Sequence, residues 1–477
     1  MDQIHLTISH WVFILTVLSI IVSIALRKGV IIPSILGIFV LGLLSKNGGT
    51  GILNNIIFAT QVIFRAMISS GKELFDIMLV ISLMVAMLKS LQSQGADHLM
   101  IAPVKRFMAG PWTSFFVLSF TMYVAAAFFW PTPAIALVGT VLIPVAIRAG
   151  LPAIGAAIAV NLAGHGMALS ADPVIQGATR LTARSAGIST DELLPYTILF
   201  SLCIGFVAIA ISCYFLRLEI RSGSTEGVIT DISLEDDDSS AQETGSYAKI
   251  FAFGVPVVFI SIALLMIYRA MFYPDEAIRG GAATALLGGT ATVVLVLSSF
   301  AAHGREAMDG IATHLRDGFF FSIKIFAPII PIAGFFFLGN PEQAVAIMGK
   351  GTPGFLFDIG NFVGHHLGGN PVFLSVGVVL VALLTGMDGS GFSGLPLVGS
   401  LAGALGRGAG IDVAVLAALA QVTSIFSGGG TLIAWAFGAC ADAGISGVDP
   451  TVLVRRNLIP VLIGIFITTI IAMFIMT

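Results

Sequence analysis

Charge is scarce in this chain. Of its 477 residues only 10% are charged and 57% are hydrophobic, with a mean hydropathy of +1.00. Soluble domains carry about 25% charged residues, so a water-soluble fold is excluded. The apolar runs are helix-length and do not alternate, which excludes an outer-membrane barrel. Cysteine is nearly absent. Cys203, Cys213 and Cys440 lie in apolar segments without metal-ligand spacing, so neither a disulfide framework nor a structural metal is expected, and all three read as small core residues. There is no basic patch with interleaved aromatics, and the net charge is −3; nucleic acid is not an expected partner. The G-x-x-x-x-G-K-[ST] loop of an ATP-driven pump is missing, as are G-x-S-x-G and any Ser-His-Asp order at a helix break, so no enzymatic activity is expected. The start "MDQIHLTISH" has no basic n-region and no cleavage site follows it, so no cleavable signal peptide is expected.

What is abundant is apolar helix. A bilayer core needs about 20 apolar residues per crossing. Candidate crossings are 10–26, 29–45, 74–91, 111–130, 193–216, 247–269, 281–301, 318–338, 371–386 and 456–476. Two further apolar regions, 131–180 and 388–442, are interrupted by Gly, Pro, Ser and Thr, and each has room for two broken crossings. The total expected is about fourteen. Segment 52–70, with polar and charged residues on one side, reads as an interfacial or re-entrant helix. Placing Arg27, Lys28, Lys105, Arg106, Arg217, Arg221, Arg455 and Arg456 in the cytoplasm gives a consistent alternation with both termini outside.

A Ser-, Gly- and acid-rich stretch, 219–246, reads as a flexible cytoplasmic linker, and the acids Glu235–Asp238 as part of a solvated loop. It separates two comparable halves, 1–218 and 247–477. "ALVGTVLIPVAIRAG" (136–150) aligns with "PLVGSLAGALGRGAG" (396–410) at a shift of 260, and Asn161 falls on Gln421. With a three-residue gap "SAGIS" (185–189) meets "DAGIS" (442–446), and upstream Lys72 falls on Lys324. Halves with an odd number of crossings, about seven each, insert in opposite orientation. The expected fold is therefore an all-α polytopic membrane protein: two inverted repeats with broken helices or re-entrant hairpins at the midplane. That is the architecture of secondary transporters.

Glycine is the second abundance, and it gathers at the breaks. In "SIFSGGGTLIAW" three consecutive glycines interrupt an apolar helix, each costing roughly 1 kcal/mol relative to alanine. Lipid cannot satisfy the freed backbone groups, so such breaks survive only against protein or a wet cavity. A half-helix N-terminus would present N–H groups and a positive dipole end to an anion. Ser427, Gly428, Gly429 and Thr431 then read as half of an anion site. Thr132, Asn161, His165 and Ser170 in "PTPAIALVGTVLIP" and "NLAGHGMALSAD", and Ser390, Ser393, Gln421 and Ser424 in the second half, complete the candidate substrate-binding set. Close helix packing is the other reading of the glycines, and structural hydrogen bonding that of Asn161 and Gln421. Asp172 and Asp388 are the candidate coupling-ion residues, because acids inside membrane segments are costly and tend to be functional. His165 reads as a proton carrier, as a neutral donor to substrate, or as a buried polar packing residue. Lys324 reads either as a carboxylate's counter-charge or as a snorkelling side chain. His365-His366 reads as interfacial.

The paired segments "PTPAIALVGTVLIP…NLAGHGMALSAD" and "MDGSGFSGLPLVGS…QVTSIFSGGGT" resemble the ion transporter superfamily, in the C4-dicarboxylate uptake (DcuC-type), gluconate and lactate permease group. The resemblance implies transport of a small organic anion, a carboxylate, driven by Na⁺ or H⁺ by alternating access. It also implies a homodimer, no cofactor beyond possible Na⁺, and multi-pass residence in the inner membrane of a prokaryote. The Ser-Asn-Thr signatures of the divalent anion–sodium symporters are absent. A cation/proton antiporter and a membrane-embedded enzyme or scaffold are the alternative classes.

Overall fold

The computed structural model describes the chain except residues 1–5, 26–27, 223–246, 274–277, 279, 360–361, 363–369, 390, 435 and 477. The acidic run Glu235–Asp238, Ser390 and His365-His366 therefore lie outside the described residues, as does the side chain of Asp388.

The chain is helical, with no strand among the described residues. The first half comprises α1 (Ile8–Ala25), α2 (Ile31–Leu44), α3 (Ile52–Gln92), α4 (Ala96–Ile101), α5 (Pro111–Phe129), α6 (Pro131–Arg148), α7 (Ala153–Val160), α8 (Leu169–Ala171), α9 (Gly177–Ala186) and α10 (Thr190–Ser222). The second comprises α11 (Ala248–Phe272), α12 (Gly280–His303), α13 (Ala307–Phe326), α14 (Ile329–Phe337), α15 (Pro341–Met348), α16 (Pro371–Thr385), α17 (Leu395–Ala409), α18 (Val413–Phe426), α19 (Phe437–Ser446) and α20 (Pro450–Met476). One group of helices gathers around α3, which packs on α2, α12, α13 and α14. In the other, α5–α10 pack against α16–α20, chiefly through α9 on α17 and α10 on α18 and α20.

Helix boundaries in the second group repeat at the shift of 260. Ala153 and Val413 open α7 and α18, Gly177 and Phe437 open α9 and α19, and Thr190 and Pro450 open α10 and α20. The three-residue gap near 185 is not needed. Left-handed glycines at the same offset, Gly187 (φ 72°) and Gly447 (φ 68°), close α9 and α19, a task that suits a residue without Cβ. Upstream the sequence pairing of Lys72 with Lys324 has no counterpart in the helices. Lys72 lies within the 41-residue α3, whereas Lys324 lies two residues before the end of α13.

Four further expectations change. Among the described residues eight helices are long and apolar enough to cross a membrane, or up to ten if each of two bent pairs is one span, against the fourteen expected. Three more apolar helices, including Ile31–Leu44 and Pro371–Thr385, are shorter than that test requires. Segment 52–70 is not a separate interfacial helix but the first part of α3. No proline interrupts that helix, and it runs about 62 Å at 1.5 Å per residue. The expected span 318–338 is two helices, because α13 ends before Pro328 and α14 starts after it. Cys203 and Cys213 are half-buried, but Cys440 is exposed, not a core residue.

Candidate functional site

The breaks meet around a cavity of about 510 Å³. Its wall takes Thr132 from the first turn of α6, and His165 from the widened π-helical turn Asn161–Ala168 that continues α7. Met387, Gly389, Phe392 and Ser393 come from the break between α16 and α17, Gly429 from the end of α18, and Phe437 and Gly438 from the start of α19. Two lysines reach it: Lys28, between α1 and α2, and Lys324 on α13.

Local sequence explains the first break. Pro131 and Pro133 cannot donate to a preceding turn, so α5 stops at Phe129 and α6 restarts at Pro131. The hinge, Trp130, has φ 71° and ψ 145°, a region in which a bulky residue is strained. Its indole lines the cavity, with its ring 5.1 Å from that of Phe392. The second-half break relies on glycine instead. A Cβ on Gly386 would lie 2.4 Å from Ser427 Cβ, and one on Gly428 would lie 2.8 Å from the Gly386 carbonyl oxygen. Close backbone crossing there leaves no room for a side chain.

The glycines also correct the sequence expectation. "SGGGT" does not begin a half-helix. It forms a π-helical turn at the C-terminal end of α18, with Gly430 thrown out of helical geometry at φ 121°. The helix N-termini at the cavity are instead those of α6 at Thr132 and α19 at Phe437–Gly438. Ser427 donates to the Leu383 carbonyl (3.0 Å), and the Thr431 hydroxyl to the Phe426 carbonyl.

The remaining candidates divide. Thr132, His165, Ser393 and Gly429 line the cavity. Ser170 bonds Ser201 (2.9 Å), Ser424 bonds Thr385 (3.1 Å), and Gln421 donates to the Ser170 carbonyl (2.9 Å) and to the Thr179 hydroxyl (3.3 Å), all buried tertiary ties. Asp172, at φ 40°, accepts from the backbone N–H of Gln176 (3.0 Å) and of Ala178 (2.8 Å). Its oxygens thus hold the turn into α9, and it is not part of the cavity wall. Asp388 sits in the single 3₁₀ turn Gly386–Asp388 beside the cavity residues Met387 and Gly389.

Sequence reasoning places Lys28 only in the topology and gives Asp442 no site role. Asp442, fully buried on α19, accepts on Oδ2 from His165 Nδ1 (2.8 Å) and from Asn161 Nδ2 (2.8 Å). Asn161 also donates to the Gly430 carbonyl (3.0 Å) and accepts from Asn457 Nδ2 (2.8 Å). The sequence pattern marks Asp442 only as a repeat position. The available signal is an acid inside the apolar "AFGACADAGIS".

No protein-family model matches the chain. It is 33% identical over 468 residues to the uncharacterized membrane protein YhfA of Bacillus subtilis (strain 168), covering 97% of each chain. Two solved transporters share its fold. MtrF of Neisseria gonorrhoeae, from a class of antimetabolite efflux pumps, matches with a TM-score of 0.52 at 15% identity, over 89% of this chain and 84% of that one. The YdaH transporter of Alcanivorax borkumensis, described as having an unusual topology, matches with a TM-score of 0.56 at 14% identity, over 98% of both.

Proposed function

The chain belongs to the family of the membrane protein YhfA, and from that premise we propose that it is a secondary active transporter of a small organic anion, a carboxylate, coupled to Na⁺ or H⁺. The observation that carries this reading is the cavity. It is lined by Lys28 and Lys324 and by the N-terminal turns of α6 and α19, which favour negative charge, and by His165. Its size suits a small molecule, and it lies among broken helices, where transporters place their substrates. The fold shared with MtrF and YdaH, one an efflux pump and the other a transporter, supports the same class. Lys28 is exposed, so the cavity reaches the surface at the end that the basic residues assign to the cytoplasm. The finer placement within the DcuC-type, gluconate and lactate permease group rests on the resemblance of the paired broken segments.

A cation/proton antiporter is the second reading, favoured by the buried Asp442–His165 pair. Thermal stabilisation of the purified protein by lactate, succinate and citrate, each with and without Na⁺, separates the two. At least one carboxylate should stabilise the wild type, and Lys324→Glu should abolish the effect without loss of the folded species on size exclusion. Indifference to all three anions would remove the carboxylate reading.

A further inference from the structure

We propose that the coupling ion is the proton and that the His165–Asp442 pair binds it, an inference that rests on the transporter reading above. Both side chains are buried, with relative exposures of 3% and 0%. The groups that address Asp442 Oδ2 are nitrogen donors, His165 Nδ1 and Asn161 Nδ2. Asn161 is oriented by its own bonds, accepting at Oδ1 from Asn457 and donating at Nδ2 to the Gly430 carbonyl. A hard cation wants a shell of oxygens, and this shell is built of N–H groups. The same arrangement suits a proton relay. With Nδ1–H given to the carboxylate, the neutral imidazole keeps its lone pair on Nε2. That nitrogen is buried, has no partner among the described residues, and belongs to a residue of the cavity wall.

The proton step balances without any other reactant. A proton from the cavity adds to His165 Nε2 and gives imidazolium. The Nδ1 proton then crosses to Asp442 Oδ2, leaving a neutral imidazole protonated on Nε2 and a carboxylic acid. Asp442 Oδ1 also lacks a partner among the described residues, and an unmatched carboxylate oxygen inside a membrane protein is expensive. The pair joins the two halves of the chain, His165 from the first and Asp442 from the second.

The other titratable groups leave this assignment clear. Across the cavity stand Lys28 and Lys324. Of the elements packed on the π turn, α5 carries Tyr123, α10 carries Tyr196, Cys203, Cys213 and Tyr214 between its charged ends, α6 carries only Arg148 at its far end, α19 adds the exposed Cys440, and α18 has none. The charges nearest α19 on α20 are Arg455 and Arg456, and Arg456 pairs with Glu219 of α10. Asp172 is held by backbone donors.

Infrared difference spectra of the purified protein between acid and alkaline pH test the pair without any substrate. The wild type should show a carboxylic-acid C=O band that Asp442→Asn lacks and whose pH midpoint moves in His165→Gln. Identical spectra for wild type and Asp442→Asn overturn the inference. If Asp442→Asn fails to fold, Asp442→Glu should retain the band at a shifted midpoint, and an unshifted midpoint overturns it equally. In Na⁺-free proteoliposomes, an inward gradient of about one pH unit should drive roughly tenfold accumulation of a transported anion per proton, with lactate, succinate and citrate as probes. Asp442→Asn should lose this accumulation but keep anion exchange. Accumulation that follows Na⁺ and ignores pH overturns the proton and leaves the transporter reading standing. Movement of none of the three anions counts against the carboxylate-transport reading, and the infrared band then decides the pair on its own.

Discussion

Two glycines of one helix should respond to the same substitution with opposite sign. Gly438 and Gly444 both lie in α19, the helix that carries Asp442. A Cβ added at Gly438 would sit 2.1 Å from the Gly429 carbonyl oxygen and 2.6 Å from the His165 ring, while one at Gly444 would meet nothing within 4 Å. Gly444→Ala then gains only the helix preference of alanine, about 0.5–1 kcal/mol. Gly438→Ala gains the same preference, but it must push apart two broken helices whose contact includes backbone. Overpacking of this kind costs about 1–3 kcal/mol, and because the helix preference is common to both, the two variants should differ by roughly that 1–3 kcal/mol. Thermal unfolding of the detergent-solubilised protein, followed by tryptophan fluorescence, ranks them against the wild type: Gly444→Ala above it, Gly438→Ala below. Gly438→Ala should also weaken carboxylate binding, because the displaced ring is that of His165. Equal stability for the two alanine variants would refute the close crossing of α18, α19 and the π turn.

Gly429→Val places its Cβ 2.9 Å from the His165 carbonyl oxygen and 3.2 Å from Leu169 Cδ2. Stability and anion binding should therefore fall together, and loss of binding at wild-type stability would restore these glycines as a direct anion cradle. Thr431→Val removes the hydroxyl that bonds the Phe426 carbonyl and should cost about 0.5–1.5 kcal/mol of stability, with anion affinity unchanged in a titration of the folded protein. Gln421→Ala leaves the buried Ser170 carbonyl without its 2.9 Å donor; a loss of about 1–3 kcal/mol is expected, and an unchanged melting temperature would count against that tie. Asp172→Asn turns one acceptor facing a backbone N–H into an amide and should lower the melting temperature while sparing gradient-driven accumulation. Normal stability with lost coupling would return Asp172 to the ion site.

Much of this was legible because it is local. Hydropathy alone requires a membrane, and Pro131, Pro133 and the run Gly428–Gly430 announce breaks wherever the helices pack, since lost donors and missing Cβ atoms act within one turn. The shift of 260 was visible in short matching strings, and the helix boundaries of 153–190 and 413–450 repeat it. Other features depend on what lies across a gap. The glycine run told of a break but not that it ends α18 instead of beginning a helix, so the end of the dipole facing the cavity had to come from the assembled chain. Asp172 reads the same in sequence whether its oxygens meet an ion or the N–H groups of Gln176 and Ala178. The union of His165 with Asp442, 277 positions apart, is decided by the packing of α19 against the π turn. A buried carboxylate takes its meaning from the donors around it, and tertiary structure alone brings those donors together.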